Sequence, residues 1–218
     1  MTRKAAAARE SGRTARARGA QLNKRLDKRE RIRDAAWELF SERGFDATTT
    51  REVAARAGVA AGTLFLYADD KRDLLFLVFH DRLRDAFDAQ RQTLNRSAPW
   101  LDQMLHLFRG VFRMYAERPA LAGELVRSLP GARGRNAQEM NALTFATLAH
   151  LANITREAQH RGELAPGNDP LLVARNVFSL YYGALLAWVM GLAPTIEAAL
   201  DPVLRDSLAL QLRGLGPS

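Results

Sequence analysis

The chain has 218 residues, with 32 Lys and Arg against 24 Asp and Glu, a net charge of +8 at neutral pH. Hydrophobic residues make up 47% and charged residues 26%, the composition of a chain that buries a core rather than of a disordered one. There is no cysteine, which excludes disulfide frameworks, thiolate metal sites and cysteine nucleophiles.

The excess charge is concentrated at one end. Residues 1–33 carry 12 Lys and Arg against 3 Asp and Glu, and the rest of the chain carries 20 against 21. The first 26 residues are rich in Ala and Arg, with Glu10 their single acid and no apolar run of signal-peptide length. This composition predicts a basic, disordered arm over 1–26 that either stays solvated or lies along nucleic acid. An organellar leader fits less well, because Lys24 to Arg33 is too densely charged for an amphipathic leader helix.

From Asp27 onward the periodicity predicts helices throughout. Ile32, Ala35, Ala36, Leu39 and Phe40 form one apolar stripe, which Gly44 ends. Thr48 to Thr50 offer N-cap hydroxyls to a short second helix with Val53, Ala54 and Ala57 inside, and Gly58 suits the left-handed cap after it. A third short helix is expected over Ala60 to Tyr67. Asp69 or Asp70 caps a long fourth from Lys71 to about Arg96. A fifth opens near Ser97 and Pro99, a sixth covers Ala120 to Leu129, and a seventh covers Ala137 to Arg161, closed by Gly162. The eighth ends near Gly191, and the ninth runs from Pro194 or Thr195 to about Arg213, with Pro202 positioned to divide it. No strand-like alternation occurs, so the expected class is all-α with about nine helices. Asn176 to Ala193 contains no charge and approaches membrane-span length, but its Asn, Ser, Tyr and Gly residues and missing basic flanks favour burial at a subunit interface.

Thr49 to Tyr67 carries the chemistry. Two short helices joined at Ala57-Gly58-Val59 make a helix–turn–helix, whose second helix has the size to enter a DNA major groove. Around it stand I-R-D-A-A-W-E-L-F (Ile32 to Phe40), R-G-F-D-A-T-T (Arg43 to Thr49), V-A-A-R-A-G-V (Val53 to Val59), G-T-L-F (Gly62 to Phe65) and K-R-D-L-L (Lys71 to Leu75). Together these resemble the N-terminal DNA-binding domain of TetR-family transcriptional regulators. After the basic arm over 1–26, the resemblance implies a DNA-binding domain over 27–75 and a ligand-binding and dimerisation domain over 76–218. It implies DNA contacts from Thr49, Thr50, Arg51, Ala60, Ala61, Gly62, Thr63, Phe65, Leu66, Tyr67 and Lys71. Ala60 stands where the family usually has a Ser or Thr cap, Phe65 where Tyr is common, and Ala68 where Phe is common. With Ala60, Ala61, Leu64, Phe65 and Leu66 in the recognition helix, few side chains can hydrogen-bond to base edges, so thymine-methyl contacts, DNA shape and the arm carry more of the specificity.

A single such module offers few contacts, so a homodimer on a palindromic site is expected. Its interface is expected on the last two helices, at Val177, Leu180, Tyr181, Ala184, Leu185, Trp188, Leu200, Leu204 and Leu208. A ligand chamber is expected among the fourth to eighth helices, lined by Phe87, Met104, Phe108, Phe112, Tyr115, Met140, Phe145, Phe178 and Tyr182. His106, His150, Asn141 and Gln138 are candidates to orient a polar ligand group. Few basic residues fall on inward positions, which favours an apolar or aromatic inducer. The fourth helix is the expected lever between chamber and DNA. His80, His106, His150 and His160 show no H-E-x-x-H spacing, and no nucleophile elbow or phosphate-cradling loop is present. No metal, cofactor, membrane partner or catalysis is expected, and the protein is read as a cytoplasmic, ligand-responsive repressor of double-stranded DNA. A non-specific DNA-coating protein and an all-α enzyme are the alternatives.

Overall fold

A computed structural model of the chain describes residues 2–215, with side-chain surroundings from Leu22 onward. Helix α1 (Thr2–Arg43) begins well before Asp27. Ala, Arg, Lys, Glu, Gln and Leu dominate its first half and no proline interrupts it, so local propensity favours extension of the helix. The expected arm therefore differs from the observed backbone after Met1, and its side chains before Leu22 lie outside the described residues. From Leu22 to Lys28 every residue is exposed; the apolar stripe from Ile32 to Phe40 then docks into the core.

Helices α2 (Thr50–Arg56) and α3 (Ala61–Leu64) complete the N-terminal unit. Thr49 and Glu52 form a capping box: the Thr49 backbone N–H donates to Glu52 Oε2 at 2.8 Å, and the Glu52 N–H donates to Thr49 Oγ1 at 3.3 Å. The Thr48 hydroxyl donates to the Leu39 and Gly44 carbonyls, fixing the turn out of α1. At the other end of α2, Arg31 Nη2 donates to the carbonyls of Ala57 and Gly58 at 2.5 and 3.1 Å. Gly58 has φ +62°, a backbone conformation that favours glycine, and its lack of a side chain leaves room for Arg31 Nη2 at the end of α2.

Helix α4 (Lys71–Gln92) is the central rod, packed by α1, α5 (Trp100–Ala116), α6 (Pro119–Ser128) and α7 (Arg135–His160). Leu74 to Phe79 are all buried, which requires neighbours around the whole circumference rather than on one face. It stops at Gln92, before the expected Arg96, and the Thr93 hydroxyl takes up the Ala89 and Gln90 carbonyls. Trp100 anchors α5 to α7 by donating from its indole Nε1 to Thr155 Oγ1 at 3.2 Å. Helix α8 (Pro170–Val189) lies against α6 and α7, followed by α9 (Ile196–Ala198), a wide π turn (Ala199–Leu204) and α10 (Arg205–Leu215). The single last helix expected from sequence is thus divided at Pro202. Asp201, the residue before Pro202, leaves the helical region (φ −140°, ψ 111°).

Helix α8 is the one helix among the described residues long and apolar enough to cross a membrane. Val173, Ala174, Val177, Tyr181, Ala184 and Leu185 are nevertheless buried within this chain. That corrects the expected dimer surface: Val177, Tyr181, Ala184, Leu185, Leu204 and Leu208 face their own core, and only Leu180, Trp188 and Leu200 retain partial exposure. Apolarity around the whole helix hid which side met α7. The exposed apolar residues of this end are Leu171, Leu172, Met190, Leu192 and Leu210.

Two carboxylates join the units. Asp73 is fully buried near the start of α4, and α7 opens on Gly134, which has no side chain to cap it. Asp73 supplies the missing cap: Oδ1 accepts from the Asn136 and Ala137 N–H groups at 3.0 and 3.2 Å, and Oδ2 from Asn136 Nδ2 at 2.9 Å and the Asp69 N–H at 3.0 Å. Asn136 Nδ2 also donates to the Tyr67 carbonyl, and Arg135 holds Asp69 and the Leu66 carbonyl. Farther along α4, Asp81 receives Arg29 and Arg33 of α1 at 3.0 and 2.8 Å and His80 at 3.0 Å, while Arg29 also reaches Glu139 of α7. Burial pushes Asp81 up, but hydrogen bonds from Arg33 and His80 and the charge of Arg29 override it and hold the carboxyl well below the usual range.

Asp73→Ala leaves several buried N–H donors without an acceptor and lowers the unfolding free energy by about 3 kcal/mol in urea titration. Asp81 is more acidic folded than unfolded, so its contribution is complete above the unfolded carboxylate pKa near 4 and disappears as pH falls towards its lower folded value. Asp81→Asn therefore loses about 3 kcal/mol at pH 7 and shows a shallower stability decline below pH 4 than the parent chain.

Candidate nucleic-acid interface and ligand cavity

The outer surface of α2 and α3 brings the expected DNA-binding residues together. Thr49, Arg51, Ala60, Ala61, Gly62, Phe65 and Leu66 are exposed, and Thr50, Thr63, Tyr67 and Lys71 are partly so. Leu64 is buried on the opposite side, as are Val53 and Ala54; α2 packs on α1, and α3 packs on α2. The recognition segment is shorter than expected. One α-helical turn ends at Leu64, and tight turns carry the chain on through Leu66 N–H to Thr63 O and Tyr67 N–H to Leu64 O. Its N-cap, Ala60, makes no side-chain hydrogen bond. Phe65 and Leu66 are 47% and 64% exposed, so the segment presents apolar surface where polar side chains would contact bases.

Thr49 and Lys71 have structural partners as well. The Thr49 hydroxyl is engaged in the capping box. Lys71 Nζ donates to the Phe45 and Asp46 carbonyls at 3.0 and 3.1 Å and lies 4.5 Å from the Phe45 ring centre. An ammonium has three donors, so one remains for an anion. Phe45 packs 5.3 Å from Phe40, and the small Ala68 is fully buried.

A cavity of about 360 Å³ opens between α4, α7 and α8, closed at one end by Leu129 and Pro130. Of the nine expected lining residues, Phe87, Tyr115, Met140, Phe178 and Tyr182 line it. Met104, Phe108 and Phe112 do not: they are buried in the packing of α5 against its neighbours. Phe145 is 71% exposed on the outer side of α7. Sequence reasoning missed Leu83, Leu143, Thr144, Thr147, Tyr181 and Leu185 in the wall. The spacing Leu83–Phe87 on α4 and Met140–Thr144–Thr147 on α7 is a helical stripe and was the available signal.

The candidate polar groups separate. Asn141 lines the cavity, Gln138 is exposed elsewhere, and His106 is tied to Thr93 and the Gln90 carbonyl at 3.0 and 3.1 Å. His150 lines a second groove of about 710 Å³, further along the same α4–α7 seam, with Arg91, Arg96, Arg156 and His160. Burial and the nearby Arg91 and Arg96 lower the His150 pKa, so this imidazole favours its neutral form. No group of His, Asp or Glu among the described residues is arranged to hold a metal ion.

Comparison with known proteins agrees with this geometry. Residues 32–78 match the family described as bacterial regulatory proteins, tetR family, a stretch covering the end of α1, the α2–α3 pair and the clamp at the start of α4. The transcriptional repressor KstR of Mycolicibacterium smegmatis is 30% identical over 189 residues, spanning 85% of this chain and 86% of that protein. The fatty acid metabolism regulator protein of Bacillus subtilis is 26% identical over 159 residues, covering 73% and 82% of the two chains. Among solved structures, Thermus thermophilus FadR, a TetR-family repressor in complex with lauroyl-CoA, superposes with a TM-score of 0.70 at 28% identity, covering 87% and 96%. With the helix–turn–helix face, the all-α body and near full-length relatives in agreement, the chain belongs to the TetR family of bacterial transcriptional regulators.

Proposed function

We propose that this chain is a cytoplasmic repressor that binds a palindromic operator as a homodimer and is released when a fatty acyl thioester or similar apolar molecule fills the cavity. The observation that carries this reading is the double duty of α7. Its Met140 to Thr147 segment walls the cavity, and its first turn, at Arg135 to Ala137, grips Leu66, Tyr67, Asp69 and Asp73 behind the recognition segment. A ligand that displaces α7 therefore moves the DNA-binding face directly. The long α4, expected alone to be the lever, shares that role with α7.

The cavity wall is apolar and uncharged, suited to an acyl chain, and about one turn further along α4 and α7 the second groove carries Arg156 beside the Arg91–Asp88 and Arg96–Glu157 pairs. The relative solved with lauroyl-CoA supports this ligand class. On the DNA side, Arg51, Thr50, Thr63 and the remaining donor of Lys71 meet phosphates, and Phe65, Leu66 and Ala61 meet the groove. The exposed apolar residues of α8 and α10, with the half-exposed Leu180 and Trp188, provide the surface for a second copy.

An operator selected from random duplex and titrated by fluorescence anisotropy shows at least about tenfold weaker binding at saturating lauroyl-CoA. Unchanged affinity sinks the inducer reading, and equal affinity for random duplex favours a DNA-coating protein instead. Arg51→Ala reduces the slope of log K against log salt by about one, and deletion of residues 1–26, which hold eight Lys and Arg, reduces it further. An unchanged slope after the deletion shows that the arm never meets phosphate.

A further inference from the structure

The cavity wall holds a buried hydrogen-bond donor that the protein itself does not use. Its lining includes no Lys, Arg, His, Asp or Glu. The hydroxyls of Thr144 and Thr147 donate to the Met140 and Leu143 carbonyls of their own helix at 3.1 and 3.0 Å, and the Tyr182 hydroxyl donates to the Val126 carbonyl at 3.4 Å. Asn141 is exposed to solvent. That leaves Tyr115 and Tyr181, only 2% and 5% exposed, with hydroxyl oxygens 3.4 Å apart and no other hydrogen-bond partner among the described residues. Two phenols have two O–H donors, and one bond between them engages one. The other is left in a buried, low-dielectric wall, where an unmatched donor is unfavourable.

The pair is held in place. The Tyr181 ring stacks on Phe108 at 4.5 Å and meets Phe112 and Phe178 at 5.9 and 5.5 Å, and Tyr115 packs 6.3 Å from Phe79. The four expected lining residues absent from the wall include Phe108 and Phe112, which act one layer back by fixing the Tyr181 ring. Burial pushes the Tyr115 hydroxyl up to about 12 and the Tyr181 hydroxyl well above its usual value, so both remain neutral donors at any physiological pH.

We propose that Tyr115 and Tyr181 form the polar handle of the cavity, donating one hydrogen bond to an uncharged carbonyl oxygen on an otherwise apolar ligand, such as the thioester carbonyl of an acyl chain. This inference rests on the reading of the cavity as the inducer site. A free fatty acid is disfavoured, because its ionised carboxylate would enter a wall without a cation. The pair selects for esterified over free acid, while the apolar wall selects for the chain.

Calorimetric titration of the full chain with lauroyl-CoA and with S-dodecyl-CoA, which has a methylene in place of the carbonyl, tests this directly. The thioester binds about fivefold tighter than the thioether. Tyr115→Phe and Tyr181→Phe singly keep one hydroxyl able to donate and retain the preference. The double variant binds the two compounds alike, whereas a merely structural role of the phenols would weaken both compounds together and keep their ratio. Equal binding of the two compounds by the parent chain overturns the handle but leaves the cavity as the inducer site. Binding of neither overturns the proposed ligand class and the handle with it. The parent-chain ratio decides the matter even if the double variant does not fold.

Discussion

The carboxylate of Asp73 is the joint on which the molecule is built. A helix N-terminus presents N–H groups without partners inside its own helix, and α7 begins on a glycine that cannot supply a side-chain acceptor. Asp73 fills that need from another helix, and a Cβ at Gly134 would lie 2.5 Å from its Oδ1, so the glycine is what lets the carboxylate approach. Because Asp73 itself follows the Asp70 cap of α4, two helix starts, α4 and α7, converge on one buried spot directly behind the recognition segment.

This joint gives the DNA-binding face two attachments to the body. One is α4, continuous in sequence with the turn at Tyr67 to Asp70. The other is the first turn of α7, which holds the Leu66 and Tyr67 carbonyls through Arg135 and Asn136. Asp81 adds a third constraint at a distance, pulling α1 onto α4 through Arg29 and Arg33 and linking to α7 through Glu139. Packed helices that share buried polar contacts move as discrete arrangements rather than by continuous bending, so a ligand needs only to favour one arrangement to change the other end.

The helix order, the capping of α2, the turn glycine and the exposed face of α2 and α3 were legible from the sequence, because each rests on local chemistry. A Thr three residues before a Glu makes a capping box wherever the next residues are helical. Gly58 reads as a turn because only glycine takes φ +62° without strain. The division of the last helix at Pro202 was legible for the same reason. The site residues were less so. Met104, Phe108 and Phe112 have the same chemistry as Phe87 and Phe178, and only the arrangement of five helices decides which aromatic rings meet a void and which meet each other. Likewise, α8 is apolar around its circumference, so no periodicity could distinguish the side facing α7 from the side left open.

By itself the sequence determined the all-α class, the helix–turn–helix, the separation of a basic end from a neutral body and the absence of cysteine chemistry. These follow from composition and from spacings of a few residues. Tertiary structure alone decided that Asp73 caps a helix that starts more than sixty positions later, that Lys71 braces the loop at Phe45 and Asp46, and that Tyr115 and Tyr181 meet at 3.4 Å in the cavity wall. Each of these joins residues far apart in the chain, and the partners are set by the packing of α4, α5, α7 and α8, which no local pattern encodes.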